Sequence, residues 1–591
     1  MGHQSSRHLG ATVHADGVDF MVWAPFAKNV SLALSVEFSW SVFPMDSDGQ
    51  GYWNIRNIKA QPGQSYKYHI TTQDDTVLER NDPYARQLTD SDNGASVIID
   101  PAYDWGDTES FVAADHSSAI IYEMHIGTFN RPDASTQGTF YTAIEKLDYL
   151  SSLGVNYVEL MPVTSMATSH GWGYAPNYIF SVENTYGGRR GLLDFVKACH
   201  EKGIGVILDV VYNHFFPETD LWQFDGWSEN GRGGIYFYND ERGDTPWGGR
   251  PDYGRPEVRQ FILDNVTLWL AEYSIDGLRL DSTIYTRNTE GTNDDHTHDI
   301  PEAWTLMAEI NDLARKINPN ALMIAEDNSS NTSLTTPTSE GGAGFTAQWE
   351  VGFPSTLRDA LGVSSAQSLE GISYEIGHTF NGRSTDRITY SDSHDTAANG
   401  SARLNELTSP DNAVSSTARK AELLANAISL TSPGIPMLLQ GTEFTQKGSF
   451  NDWQMLDWNL TGKFAGIVLA HQHLIQLRKN VYGNTAGLLS AQTAIFHKDT
   501  ANNVLGYRRW DKGGPNDDTV IIANFSNTHF DAYEVVLPSS GTWVVRFNTS
   551  WKGYSPEFSE SPTRQFKTAP NNTISISMSG YQFLMLGKHS D

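Results

Sequence analysis

The chain has 591 residues, more than one ordinary hydrophobic core can hold, so roughly two to four domains are expected. Its 70 acidic and 41 basic residues give a formal net charge of −29, which argues against nucleic acid or an anionic membrane as a partner. The single cysteine, Cys199, excludes an internal disulfide and a cysteine-based zinc site. No apolar segment typical of a signal peptide or of a membrane span is visible, so we expect a soluble, cytoplasmic protein.

Residues 1–115 carry short runs in which apolar and polar residues alternate, such as "GVDFMVWAP", "NVSLALSV" and "QSYKYHITT". Clusters of Gly, Pro, Asn and Asp separate these runs, as is typical of strands joined by turns. The pattern predicts a small N-terminal β-sandwich. The chain also holds 16 Trp and 25 Tyr, which are either core residues or surface platforms on which flat ligand faces stack.

From residue 116 to residue 480, predicted strands alternate with predicted helices. The strands are apolar runs such as "AIIYEMHIG", "VILDVVYNH" and "IPMLLQG", with helices such as "GLLDFVKACHEKG" between them. This alternation is typical of βα units on a parallel sheet. About eight repeats over roughly 360 residues favour a closed (β/α)₈ TIM barrel. The alternative, a doubly wound sheet, is disfavoured because no G-x-G-x-x-G or P-loop motif follows a strand.

Beyond residue 480 the strand pattern returns, in "VLGYRRWD", "DTVIIANFS", "TWVVRFN" and "YQFLMLG". We predict that residues 481–591 form an antiparallel β-sheet domain. The expected fold is therefore multidomain, α/β and β, with a central TIM barrel between an N-terminal β-sandwich and a C-terminal antiparallel β domain.

Polar residues recur where four of the predicted barrel strands end. These ends carry Asp209, Asn213 and His214; Arg279 and Asp281; Glu326 and Asp327; and His394 and Asp395. Active sites of TIM barrels lie at the C-terminal ends of the strands, so these side chains are expected to converge there. A single Asp at a strand end more often caps the following helix, but four such ends in succession are not explained by capping.

Carboxylates at a barrel mouth suit either metal binding or glycoside cleavage. A retaining glycosidase needs one carboxylate as nucleophile and a second, about 5–5.5 Å away, as acid and then base. Arg279 would orient the Asp281 carboxylate and favour its charged form. Glu326 would have to start protonated, which requires burial or neighbouring acids. A metal-dependent hydrolase would need a His-rich ligand set, whereas the strand-end His residues here are each accompanied by a carboxylate.

Four motifs stand in order along the barrel region: "DVVYNH" (209–214), "GLRLDS" (277–282), "AED" (325–327) and "SHD" (393–395). Through these motifs the sequence resembles the α-amylase family of glycoside hydrolases. The resemblance implies a retaining mechanism with Asp281 as nucleophile, Glu326 as general acid/base and Asp395 as transition-state stabiliser. It also implies supporting roles: Arg279 positions the nucleophile, Asp209 braces this layer, and the sugar at the cleavage point is bound by Tyr174, His214 and His394.

Within the family, the sequence is most similar to glycogen branching enzymes. "DYGRPEVRQFI", "TSEGGAGF" (338–345) and "QGTEF" carry that likeness, whereas "DVVYNHF" is closer to amylases, isoamylases and trehalose-releasing hydrolases. The expected function is a branching-type transferase that cuts α-1,4 links and forms α-1,6 links through a glycosyl–Asp281 intermediate. An α-1,4-glucan hydrolase and, less favoured, an inactive glucan-binding protein stay open as alternatives.

The resemblance implies an α-glucan partner, such as starch, glycogen or maltooligosaccharides, and no required cofactor. A structural calcium ion stays open because no defensible ligand set is visible, and the oligomeric state stays open as well. Trp23, Trp40 and Trp53 are candidates for glucan contact, with the sandwich core as the alternative. The aromatic-rich segment 220–240 is a candidate for part of an acceptor groove, with a packed loop over the barrel as the alternative.

Overall fold

The computed structural model describes residues 8–36, 39–90, 94–167, 171–363, 365–559 and 563–589. A β-rich region, a barrel of strands and helices, and a second β-rich region follow one another along the chain. The fold class predicted from the sequence is thereby confirmed: an eight-stranded parallel barrel is flanked by two antiparallel β domains. Residues 1–7, which belong to the predicted N-terminal domain, lie outside the described residues.

The N-terminal β-sandwich consists of two antiparallel sheets. Its strands are β1 Gly10–His14, β2 Gly17–Trp23, β3 Asn29–Val36, β4 Ser39–Pro44, β5 Asp46–Ser47, β6 Tyr52–Asn57, β7 Ser65–Thr71, β8 Val77–Arg80 and β9 Ser96–Val97. One sheet has the order β1-β2-β6-β5 and the other β4-β3-β7-β8, with β9 beside β7. Tyr66, Tyr68 and Ile70 of β7 are buried, because alternate side chains of a strand point to the same face.

The barrel region alternates strands with helices. Its strands are β10 Ile121–Met124, β11 Tyr157–Leu160, β12 Thr164–Met166, β13 Pro176–Val182, β14 Gly205–Val210, β15 Gly277–Leu280, β16 Leu322–Glu326, β17 Ala347–Trp349, β18 Ile388–Thr389 and β19 Ile435–Leu439. Its helices are α1 Ile126–Phe129, α2 Phe140–Ile144, α3 Leu147–Leu153, α4 Gly188–Glu201, α5 Pro256–Thr267, α6 Thr283–Arg287, α7 Pro301–Ile317, α8 Gly352–Leu361, α9 Glu370–Gly377, α10 Leu404–Thr408, α11 Ser416–Thr431, α12 Asn459–Lys463 and α13 Ala465–Arg478. Among the described residues, no helix combines the length and the apolar character that a membrane crossing requires.

Eight parallel strands form the barrel wall, in the spatial order β17-β16-β15-β14-β11-β10-β19-β18. β12 and β13 form a separate antiparallel hairpin between β11 and β14. β14, β15 and β16 are buried along their whole length. Strands covered on both faces read as continuous apolar runs rather than alternating ones, which is the pattern found in this part of the sequence.

The barrel closes through a seam between β17 and β18, its two shortest strands. A backbone hydrogen bond crosses this seam from Gln348 N–H to Asp386 O at 3.0 Å. The buried Arg387 guanidinium donates to the Glu350 carboxylate at 2.9 Å, and the Tyr390 hydroxyl donates to the Glu350 carbonyl at 2.8 Å. Side chains therefore hold the barrel together where its backbone ladder is shortest.

The C-terminal domain is antiparallel. Its strands are β20 Thr493–Asp499, β21 Val504–Arg509, β22 Thr519–Asn524, β23 Phe530–Val536, β24 Thr542–Asn548, β25 Gln565–Lys567, β26 Thr573–Met578 and β27 Phe583–Lys588. They form a six-stranded sheet, β20-β21-β22-β27-β24-β25, and a two-stranded sheet, β23-β26. The buried Arg509 guanidinium links this domain to the barrel, since it donates to the carbonyl oxygen of Thr431 in α11 as well as to those of Leu488 (3.2 Å) and Ser490.

The segment 220–240 joins the N-terminal domain to the barrel. Trp227 stacks on Phe26 with ring centroids 4.4 Å apart, and Tyr236 meets Trp23 edge-on at 5.5 Å. The Phe26 N–H donates to Asp225 at 2.9 Å. The buried aromatic residues of the segment are Phe224, Tyr236, Phe237 and Tyr238. Because these rings are packed, the structure favours the packed-loop interpretation of this segment over the acceptor-groove interpretation.

Gly277, the first residue of β15, lies against the backbone of β16. A Cβ at this position would come within 2.2 Å of the Leu322 carbonyl oxygen. Since that oxygen belongs to the barrel wall, we expect Gly277→Ala to lower the free energy of unfolding by on the order of 3 kcal/mol, measured by denaturant unfolding. Gly462→Ala in α12, where a Cβ meets nothing within 4 Å, is the matched control and should be neutral or stabilising. Equal stability of the two variants would contradict this packing.

Candidate active site

The eight side chains predicted from the sequence form one connected cluster at the C-terminal ends of the barrel strands. Direct contacts join Tyr174, Asp209, His214, Arg279, Asp281, Glu326, His394 and Asp395. The order of the barrel explains this convergence, because β14, β15 and β16 are neighbours and the loops after β11 and β18 open toward the same edge.

Arg279 is the centre of the cluster. Its guanidinium is fully buried, and Nη1 donates to Asp209 Oδ2 and to Asp281 Oδ1, both at 2.7 Å. Nη2 lies 3.8 Å from Glu326 Oε2. The guanidinium also packs over the Trp349 ring, 4.3 Å from its centroid. A buried cation is costly without such partners, and here acidic groups from three neighbouring strands share it.

Glu326 is buried and holds a proton at neutral pH. Burial raises the pKa of its carboxyl group to about 8; Arg279 acts against this shift, and the carboxylates of Asp281 and Asp395 add to it. The Ser282 N–H donates to Glu326 Oε2 at 2.6 Å, which fixes the carboxyl group next to Asp281. The site therefore keeps an acid ready at the end of β16.

Asp281 is held in one orientation but stays reachable. Its Oδ1 accepts from Arg279, its Oδ2 accepts from the Asn213 amide at 2.7 Å, and 14% of its side chain is exposed. Asn213 also donates to the Asp281 backbone carbonyl at 2.8 Å. Asn213 is a site residue that the sequence analysis placed at a strand end without assigning it a role, although it stands in the same motif as His214.

Asp209 is the second carboxylate that accepts a hydrogen bond from Arg279. Burial raises the pKa of its carboxyl group to about 6, although Arg279 acts in the opposite direction. The Tyr174 hydroxyl donates to Asp209 Oδ2 at 2.6 Å. This bond fixes the Tyr174 ring, which stacks on His394 with centroids 5.3 Å apart.

His394 is enclosed by rings and carboxylates. Its Nε2 lies 3.5 Å from Asp395 Oδ1, and its Nδ1 contacts Glu123, a residue the sequence analysis did not identify. Burial would lower the pKa of the imidazole, but Asp395 and Glu123 outweigh it and raise the pKa to about 9. The ring is therefore an imidazolium at neutral pH. Asp395 itself is 47% exposed at the barrel mouth.

Protein groups occupy both ring nitrogens of His214. Nε2 lies 2.9 Å from the Tyr174 carbonyl oxygen, and Nδ1 contacts Asn213 Oδ1. Burial lowers the pKa of this imidazole. The Trp247 ring, 48% exposed, stands 5.5 Å from the His214 ring and 4.9 Å from the Tyr285 ring. Trp247 thus offers at the rim the open aromatic face that was expected of segment 220–240.

The described part of the chain contains no group of three or more His, Cys, Asp or Glu side chains suited to hold a metal ion. The structural calcium ion, which the sequence left open, therefore has no assigned ligands among these residues. What the cluster does offer is two carboxyl groups in different settings. Glu326 is protonated, whereas Asp281 is paired with a guanidinium.

Three family models match the chain. The catalytic domain of alpha amylase matches residues 123–242 and 249–480, which include all eight predicted site residues. Carbohydrate-binding module 48 (isoamylase N-terminal domain) matches residues 8–85, and the alpha amylase C-terminal all-beta domain matches residues 495–588. The three matches follow the order of the three structural regions.

Curated relatives with two different activities are similar to this chain. A 1,4-alpha-glucan branching enzyme of Corynebacterium jeikeium (strain K411) is 31% identical over 569 residues, 92% of this chain and 77% of that protein. A malto-oligosyltrehalose trehalohydrolase of Saccharolobus solfataricus is 34% identical over 344 residues, 58% of this chain and 55% of that protein. Among solved structures, a pullulanase complexed with maltotetraose from Anoxybacillus sp. LM18-11 has a TM-score of 0.77 at 22% identity, covering 98% of this chain and 87% of that one. That structural likeness concerns the fold alone.

The raised pKa of Glu326 makes the stability of the fold depend on pH. Between its ordinary pKa of 4.5 and the folded value of about 8, rising pH ionises this group in the unfolded chain first, so stability is lost over that range. Glu326→Gln keeps an acceptor for the Ser282 N–H but cannot ionise. Its stability relative to the wild type should therefore rise between pH 5 and pH 8, by on the order of 1–3 kcal/mol, and then level off. Thermal unfolding from pH 5 to pH 9 measures this, and a pH-independent difference would contradict it.

Proposed function

The chain belongs to the α-amylase family of α-glucan-active enzymes, and we propose that within this family it is a retaining transglycosylase of the branching type. It cleaves an α-1,4 link of a glucan chain, holds the released fragment on Asp281, and passes it to a sugar hydroxyl to form an α-1,6 link. The observation that carries the retaining chemistry is the pairing of a protonated Glu326 with a charge-paired Asp281 around Arg279.

In the first half of the reaction, the Glu326 carboxyl group protonates the glycosidic oxygen while an Asp281 carboxylate oxygen attacks the anomeric carbon. The bond to the leaving sugar breaks, and a glycosyl–Asp281 ester forms. In the second half, the Glu326 carboxylate takes the proton of the acceptor hydroxyl as that oxygen displaces Asp281. Asp395, exposed at the mouth, places a negative charge near the cationic transition state.

Branching and hydrolysis share the first half of this reaction and differ in the acceptor. The similarity to a branching enzyme over 92% of the chain, all three domains included, supports transfer to a sugar. The trehalohydrolase similarity covers only 58% of the chain but reaches 34% identity, and it favours the second candidate, an α-1,4-glucan hydrolase. "DVVYNHF" favours the same alternative.

The product linkage formed from linear amylose separates the two candidates. We expect α-1,6 signals in proton NMR spectra to grow while the number of reducing ends stays nearly constant, because a transferase moves chains without releasing them to water. Reducing ends that rise without new α-1,6 links would overturn the branching proposal in favour of hydrolysis.

Asp281→Asn should abolish both branching transfer and hydrolysis, because the amide cannot form the glycosyl ester. We expect turnover to fall by at least about 10³-fold while the fold is kept. Asp531→Asn, at a fully exposed position of the C-terminal domain, is the matched control and should act like the wild type. Undiminished turnover by the Asp281 variant would contradict its assignment as nucleophile.

We further propose that the N-terminal sandwich contacts glucan through Trp40. Of the three candidate residues, Trp23 is buried in the core, and Trp53 is half-buried with its indole N–H bonded to the Ala24 carbonyl at 3.1 Å. The Trp40 side chain is 52% exposed. It borders a cleft of about 530 Å³ whose polar lining includes Lys67, His69, Glu79 and Thr89.

Trp40→Ala should weaken glycogen binding by about tenfold, since stacking on one aromatic ring is worth roughly 1 kcal/mol or somewhat more. Turnover of short maltooligosaccharides should stay unchanged, because Trp40 lies in a different domain from the cluster around Arg279. Affinity electrophoresis in glycogen-containing gels measures the binding. Trp551→Ala, another exposed Trp, is the control. Equal retardation of both variants would contradict the Trp40 proposal.

A further inference from the structure

A second pair of acidic side chains lies beside the cluster, on the neighbouring strands β10 and β11. Glu123 and Glu159 stand opposite each other in register, and both are buried. The two glutamates differ in their surroundings. Both carboxylate oxygens of Glu123 contact His394: Oε2 accepts from its backbone N–H at 3.0 Å, and Oε1 meets its ring Nδ1. For Glu159, burial and the charge of Glu123 raise the pKa to about 8, so it is protonated at neutral pH.

The two contacts with Glu123 leave His394 one orientation. With Nδ1 and the backbone N–H both bound to the same carboxylate, Nε2 is the ring nitrogen left for Asp395, whose Oδ1 lies 3.5 Å away. Tyr174 and Trp349 pack against the ring at centroid distances of 5.3 and 5.7 Å, so it cannot tilt freely. A carboxylate bound to one imidazole nitrogen fixes the tautomer and direction of the other, as in the supporting partners of metal-bound and catalytic histidines.

We propose that Glu123 is a positioning residue for this enzyme: it holds His394 as an imidazolium whose Nε2–H is directed at Asp395 and at the sugar hydroxyl bound beside it. The proposal rests on the α-glucan-cleaving site proposed above, and it is independent of whether transfer or hydrolysis follows. Glu123 acts through His394 and does not itself touch the sugar.

The charges around His394 give the proposal its pH dependence. The titratable and charged groups that face the ring are Glu123, His125, Glu159, Tyr174, Asp209, Arg279 and Asp395. Burial and Arg279 oppose the cation, whereas Asp395 and Glu123 favour it. Without the Glu123 charge, His394 loses its proton at a lower pH, and the directed Nε2–H is lost with it.

Glu123→Gln and Glu159→Gln form a matched pair of variants at register partners. At pH 7, Glu159 is already neutral, so its glutamine variant changes neither charge nor size, whereas Glu123→Gln removes the charge that faces His394. The assay is the loss of amylose–iodine absorbance, which falls whether fragments are transferred or hydrolysed. We expect Glu123→Gln to lower kcat/KM by about 10–100-fold and to move the basic limb of its pH profile at least about one unit lower. Glu159→Gln should stay within about twofold.

The outcomes separate the two proposals. An active wild type with identical profiles for both variants would overturn the role of Glu123 alone. A wild type that cleaves no amylose would overturn the proposed function, and the role of Glu123 with it. Glu123→Asp, which keeps the charge, should restore the position of the basic limb even if part of the rate is lost, and failure of that rescue counts against the proposal.

A measurement on the unmodified enzyme covers the case in which Glu123→Gln does not fold. In NMR spectra of protein with ¹³C-labelled histidine, the ring signal missing from His394→Gln identifies His394. That signal should titrate near 9 in the wild type, well above the ordinary value of 6.5. Titration at or below 6.5 would overturn the proposal.

Discussion

The barrel mouth depends on one buried cation. Arg279 has no access to water, and its partners Asp209, Asp281 and Glu326 come from three adjacent strands. Without it, several buried acids would face one another at close range; without them, a buried guanidinium would be uncompensated. Neighbouring residues also hold the Arg279 guanidinium and its carboxylate partners in place. Trp349 covers one face of the guanidinium, and Asp209 uses its second hydrogen bond to fix Tyr174. Glu326 keeps its proton at neutral pH in spite of Arg279, because burial raises the pKa of its carboxyl group and the charges of Asp281 and Asp395 add to that shift.

The barrel strands and most of the site residues could be predicted from the sequence, for identifiable physical reasons. Strands buried on both faces leave continuous apolar runs in the sequence. β14, β15 and β16 could therefore be recognised from the sequence alone, together with the polar residues at their ends. β17 could not be recognised in the sequence, because a strand of three residues is too short to show any periodicity. Glu123 was hidden for another reason: it is a single acid in an apolar run, and its partner His394 stands 271 positions away. Composition also could not tell packed from exposed rings, so segment 220–240 was offered as a groove although most of its rings are buried, while exposed Trp247 lies just past it.

The three domains are joined by different kinds of interaction. The N-terminal sandwich meets the barrel through aromatic rings of segment 220–240, with Phe26 on Trp227 and Trp23 on Tyr236. The C-terminal domain meets it through Arg509, which donates to the Thr431 carbonyl oxygen, and through the ion pairs Arg419–Glu557 and Lys498–Glu370. The ion pairs that join the outer domains to the barrel, among them Arg86–Glu272 and Arg419–Glu557, involve none of the eight site residues.

The seam between β17 and β18 divides the barrel wall into a firm side, held by backbone pairing along whole strands, and a second side, where side chains hold a short backbone ladder together. Asp281, Arg279 and Glu326 sit on the firm side, on strands paired over their full length, whereas Asp395 follows a strand of two residues. Breathing of the wall would therefore widen the gap between Asp395 and the other two carboxyl groups without changing the spacing between those two.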